Sequence, residues 1–126
     1  MKARVTSRLA ILCSVAFAAS CLAGVLPPNA RNIRLVETGS DDDRTVCPDF
    51  HVTPESAKAF FAAAVRISEV DLHDHYDSSP CYVRGAVWVG DEIWYWEIRA
   101  TGTGSVRRPG KELLLVADPS RQTKFP

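Results

Sequence analysis

Between Pro54 and Ile67 the apolar residues Ala57, Phe60, Phe61, Ala64 and Val65 recur at intervals of three and four, the stripe of one helix face. Thr53 stands where an N-cap belongs, Pro54 suits the first helical position, and Glu55 complements the positive helix end. Lys58 and Arg66 lie off the stripe. The spacing predicts a helix from about 54 to 67.

From Cys81 onward the period changes to two, and Gly90-Asp91 marks a two-residue turn. Centring a hairpin there pairs residues whose numbers sum to 181. One face then carries Cys81, Val83, Gly85 and Val87 opposite Ala100, Ile98, Trp96 and Trp94. The other carries Tyr82, Arg84, Ala86 and Trp88 opposite Arg99, Glu97, Tyr95 and Ile93. This register sets Arg84 against Glu97 and puts Gly85 under the Trp96 ring, and a slip of one residue destroys both matches. The nearly all-apolar first face is the one that meets the helix. Thr101-Gly102-Thr103-Gly104 reads as a bend or bulge, Arg108-Pro109-Gly110-Lys111 as a type II turn, and Glu112 to Ala117 as a third strand.

These elements predict an α+β fold, with one N-terminal helix packed on a three- to four-stranded antiparallel β-meander. Residues 24–45 read as a flexible acidic tether, because Pro27-Pro28 and the Gly39-to-Asp43 run are poor material for a core. Within it only Ile33, Leu35 and Val36 support a short strand, over Ile33 to Thr38. Residues 46–117 form the small domain, and 118–126 a frayed tail.

The first residues change the setting. Lys2, Arg4 and Arg8 precede an apolar run from Leu9 to Ala19 and then Ser20-Cys21-Leu22-Ala23, the layout of an export signal over residues 1–23. The run is shorter than the roughly 20 residues a membrane span needs. Ala18-Ala19-Ser20-Cys21 resembles the lipobox of bacterial lipoproteins, which implies lipidation at Cys21 and a membrane anchor in the periplasm, weakly favouring the outer membrane. Cleavage after Ala23, giving a soluble periplasmic or secreted protein, is the alternative.

Export also sorts the four cysteines. Cys13 leaves with the signal and Cys21 is lipidated or removed, so Cys47 and Cys81 remain to form a disulfide that staples the domain. The whole chain carries fifteen basic and fifteen acidic side chains, and loss of three signal cations leaves the product mildly acidic. That balance gives no electrostatic footprint for nucleic acid.

Candidate chemistry is sparse. In an extended segment His73 and His75 share a face and, with Asp77 and His51 nearby, could ligate zinc or copper; the plainer reading is a solvated acidic connection. Gly102 and Gly104 lack the third glycine and following helix of a phosphate loop. No nucleophile motif is present, no cofactor is implied, and the chain reads as a non-enzyme. Tyr82, Arg84, Trp88, Ile93, Tyr95 and Arg99 gather on the second hairpin face, and Trp, Tyr and Arg are the residue types that recur at protein-binding hot spots. Residues 32–38 or the C-terminal tail could instead cover that face as a second core layer.

The stretch from His75 to Gly85, with Trp96-Glu97-Ile98 and Gly102-Thr103-Gly104, resembles a small exported domain of proteobacterial lipoproteins and hypothetical proteins over residues 47–117. The resemblance brings no activity with it. In scale and compartment the chain is also similar to periplasmic immunity proteins and lysozyme inhibitors. The leading expectation is a cell-envelope module that binds a protein partner, as an inhibitor or immunity protein does. The alternative is a metal- or small-ligand-binding periplasmic protein using the His73/His75 segment.

Overall fold

The computed structural model describes residues 24–122. The expected export signal, the expected lipidation at Cys21 and the last four residues lie outside them. The elements are β1 (Ala30–Ser40), α1 (Pro54–Ala63), β2 (Val65–Arg66), α2 (Glu69–His75), β3 (Cys81–Val89), β4 (Glu92–Arg99), β5 (Thr103–Arg107) and β6 (Leu114–Ala117), followed by a 3-10 turn over Pro119–Arg121. The strands form one antiparallel six-stranded sheet in the order β1-β3-β4-β5-β6-β2. The expected single helix on a three- to four-stranded meander is therefore corrected: the fold is mostly sheet, with two short helices.

The central hairpin pairs as its pattern predicts, from Tyr82 with Arg99 to Val89 with Glu92. Val83, Val87, Trp96, Ile98, Val106 and Val116 form the buried sheet face, on which Ala57, Phe61 and Ala64 pack. Phe61 meets Trp96 edge-on at 5.8 Å between ring centroids. Gly85 lies beneath Trp96 so closely that a β-carbon there would stand 2.1 Å from Trp96 Cζ2. Helix α1 begins at the expected cap, where Thr53 Oγ1 accepts from the Ser56 amide at 3.0 Å and Ser56 Oγ accepts from the Thr53 amide at 2.8 Å.

Three extra strands account for the difference. The stretch expected to be a tether holds the eleven-residue edge strand β1. Its register on β3 slips between Arg31 and Arg34 and again between Leu35 and Glu37. Each bulge adds a residue, so the positions paired on the outer face are Arg31, Arg34 and Glu37, three apart rather than two. Ile33 and Leu35 pack on the core between them. The bulges break the period-two pattern, so only the middle of the strand, Ile33 to Thr38, carries a strand signal.

The helix stops at Ala63 rather than near 67, because Val65 and Arg66 pair with Ala117 and Val116 at the far sheet edge. Gly102 closes a turn onto Arg99 O at 3.0 Å, and β5 returns beside β4, so Thr101 to Gly104 make a hairpin rather than a bend within one strand. The Pro109-Gly110 turn forms as expected: Gly110 has φ +65°, and the Lys111 amide donates to Arg108 O at 3.2 Å.

The chain thus runs up one edge as β1, crosses the core face as α1, touches the opposite edge as β2 and returns through α2. Cys47 and Cys81 are bonded, with 5.9 Å between their Cα atoms, tying the start of that excursion to the start of the central hairpin. No helix among the described residues is long and apolar enough to cross a membrane.

Candidate functional site

The sheet face turned away from α1 carries the side chains in rows that follow from the strand register. One row is Arg31–Trp88–Ile93 and the next is Arg34–Ala86–Tyr95–Arg107. A third is Glu37–Arg84–Glu97–Ser105–Leu115, and beyond it lie Tyr82 and Arg99. All six residues of the expected hot spot are on this face, but they divide into two halves with different chemistry.

In one half the charges satisfy each other. Glu97 accepts from Arg84 Nε and from Arg99 Nε, each at 2.8 Å. Arg84 Nη1 reaches Glu37 at 3.4 Å, and Arg99 Nη1 donates to Asp41 and to the Ser79 and Pro80 carbonyls. The Arg84 guanidinium is held above its ordinary pKa, chiefly by the hydrogen bond to Glu97. For Arg99, burial works against the charge, and the bonds to Asp41 and Glu97 outweigh it, so its pKa also rises. Tyr82 lies under both guanidinium groups, 3.9 Å from Arg84 and 5.2 Å from Arg99 at the ring centroid, and is only 8 % exposed. Tyr82, Arg84 and Arg99 are therefore structural cement, each already engaged within the fold.

The other half is open. Tyr95 is 55 % exposed, and Trp88 and Ile93 are half-buried. Arg31 stacks on Trp88 at 5.6 Å and caps the Gly90 carbonyl. Arg34 and Arg107 close the Tyr95 row at either end, both exposed and neither hydrogen-bonded nor ion-paired through its side chain among the described residues. Three strand spacings separate them, roughly 14 Å. Arg31 and Arg34 are not legible in the sequence because the short strand over Ile33 to Thr38 carries no sign of its register on β3, and Arg107 is not because β5 does not stand apart from the turn before it.

Neither residues 32–38 nor the described part of the tail covers this face. Residues 32–38 extend the sheet sideways in β1, and the Asp118 amide folds onto the Gly102 carbonyl at 2.9 Å. Instead α2 leans over the Glu97–Ser105–Leu115 row, leaving a cleft of about 670 Å³ that Leu72, Tyr76, Thr103 and Leu113 also line.

The segment proposed for metal binding is not extended. His73 and His75 both fall in α2, capped by Ser68 through the Asp71 amide at 3.0 Å. Two residues apart on a helix, they do not face the same way. His73 Nδ1 is 3.0 Å from Asp74, Asp77 follows the helix, and His51 lines a separate hollow with Cys47 and Phe50. Among the described residues, no group of three or more His, Cys, Asp or Glu side chains is gathered to hold a metal.

No family model matches the chain, and neither the curated proteins nor the solved structures contain a match.

Proposed function

We propose that the chain is an exported, non-catalytic module that docks a protein partner through the open half of its outer sheet face. The observation that carries this reading is Tyr95, standing exposed between two guanidinium groups that have no ion-pair partner among the described residues. Trp88 and Ile93 extend the apolar ground, and Tyr, Trp and Arg are the types enriched where interfaces concentrate their energy. A partner that covers Tyr95 also takes Arg34 and Arg107 out of water, which is costly unless carboxylates meet them. The surface therefore fits an acidic patch on another protein.

The compartment supports a protein target. The leader-like N-terminus and the disulfide suit the cell envelope, with Cys21 as the place for a lipid anchor. Inhibitor or immunity protein is the concrete form of such a module. The test begins with capture from an envelope extract at low ionic strength, followed by purification of the captured protein and direct titration. The expected partner is acidic and binds the purified chain. It loses roughly tenfold in affinity, about 1.4 kcal/mol, on Tyr95→Ala. It loses more on Arg34→Glu/Arg107→Glu and weakens with salt. A captured protein indifferent to both variants, or none that binds directly, overturns the proposal.

A further inference from the structure

The outer face has a step in it. Helix α2 stands on the Glu97–Ser105–Leu115 row, while the Tyr95 row beside it is bare. The Ile67 amide donates to Leu115 O at 3.0 Å and fixes the entry to the helix. Leu72 turns toward the sheet and lines the cleft below it. At about 100° per residue, Val70 and Asp74 then point away from the sheet, with Asp71 on the flank. Val70 is 67 % exposed, and Asp74 keeps 53 % of its side-chain surface although it is paired with His73. Asp71 is exposed as well. The raised helix is therefore apolar at its crown and acidic beside it.

The bare row is its counterpart in charge and in size. Tyr95, 55 % exposed, is the floor, and Arg34 and Arg107 flank it roughly 14 Å apart. A helix is about 10–12 Å across, and the seven residues of α2 make it about 10 Å long. It fits between the two guanidinium groups with Val70 on Tyr95 and with Asp71 and Asp74 beside the cations. Within one chain the two halves lie side by side and cannot meet. A copy turned by half a revolution about an axis across the strands, in the plane of the face, brings them together. It does so twice, which is the condition for a closed dimer.

We infer that a second copy of this chain occupies the open half, each chain seating its α2 on the Tyr95 row of the other. The inference rests on the reading of that row as a docking surface, and adds that a foreign acidic partner competes there with the chain's own helix. Strands β1, β3, β4, β5 and β6, about 4.8 Å apart and up to nine residues long, give the face roughly 600 Å². Two such faces bury about 1,200 Å² at most, the low end for a specific interface, which suits a transient dimer.

The test is sedimentation velocity of the disulfide-bonded protein, from about 10 μM to about 1 mM at low ionic strength. The expected result is a monomer–dimer equilibrium with a dissociation constant of about 100 μM, weakening as salt is added. Arg34→Glu/Arg107→Glu and, separately, Asp71→Lys/Asp74→Lys should each weaken it at least about tenfold. An equimolar mixture of the two variants should associate as the parent does, because one contact is then native and the other has its charges exchanged. The Asp71→Lys/Asp74→Lys chain should still bind a purified foreign partner, since its Tyr95 row is untouched. A parent chain that stays monomeric, association that either variant leaves unchanged, or a mixture no better than its components refutes the dimer. A monomer that binds a foreign partner through Arg34 and Arg107 would sink the dimer and leave the docking surface standing.

Discussion

Replacing Gly85 by Ala tests the joint between the core and the strand that carries Arg31 and Arg34. An added β-carbon would lie 2.1 Å from Trp96 Cζ2 and 2.2 Å from the Arg34 carbonyl oxygen. Carbon atoms in contact sit about 3.5–4.0 Å apart, so both walls stand too close, each by more than about 1 Å. Trp96 is 2 % exposed and held edge-on by Phe61, which leaves the ring no room. The other wall is backbone of β1. Overpacking a core costs about 1–3 kcal/mol, and two fixed walls place this substitution near about 3 kcal/mol. In a domain of this size that lowers Tm by about 12–24 °C. Circular dichroism melts measure the shift, and amide exchange shows whether β1 has loosened. A variant melting within about 2 °C of the parent would show that neither Trp96 nor β1 stands against Gly85 as described.

Three further outcomes are expected. The disulfide joins residues 34 apart, so Cys47→Ala/Cys81→Ala should cost about 3–4 kcal/mol in urea unfolding, and a loss under about 1 kcal/mol would contradict it. Glu97→Gln removes the carboxylate shared by Arg84 and Arg99; with Arg84 41 % exposed, the loss is about 1–2 kcal/mol, smaller at high salt, and a neutral result would show the network is idle. Tyr76 has a raised pKa because burial, then Asp118 and Asp71, disfavour its anion. Its contribution to stability is complete below the ordinary value of 10.0 and is lost as pH rises through the higher folded value. Tyr76→Phe should therefore flatten the alkaline limb of a pH–Tm curve, and an equally steep limb would oppose the assignment.

What could be read from the chain follows from how regular each element is. The β3–β4 hairpin repeats at period two on both strands, with a turn dipeptide between them, so its register and the Arg84–Glu97 contact were legible. Helix α1 was legible from its stripe and cap, although its end was not, because Val65 and Arg66 are held by a partner fifty residues downstream. Of β1 only a short strand over Ile33 to Thr38 was legible, since two bulges convert its outer period from two to three. Helix α2 had a signal that composition obscured: Ser68 in cap position, Glu69 and Asp71 in the first turn, His73 and His75 in the last. The candidate surface was half legible. Its aromatic residues lie on the regular hairpin, while the cations that give it charge come from β1 and β5.

The division of the outer face into a self-neutralised half and an open cationic half is tested most directly by titrating the purified partner against Arg34→Glu/Arg107→Glu. Those two side chains bond to nothing within the described fold, so the variant should melt with the parent while affinity falls by more than about tenfold. Binding that the reversal leaves unchanged would contradict the docking surface.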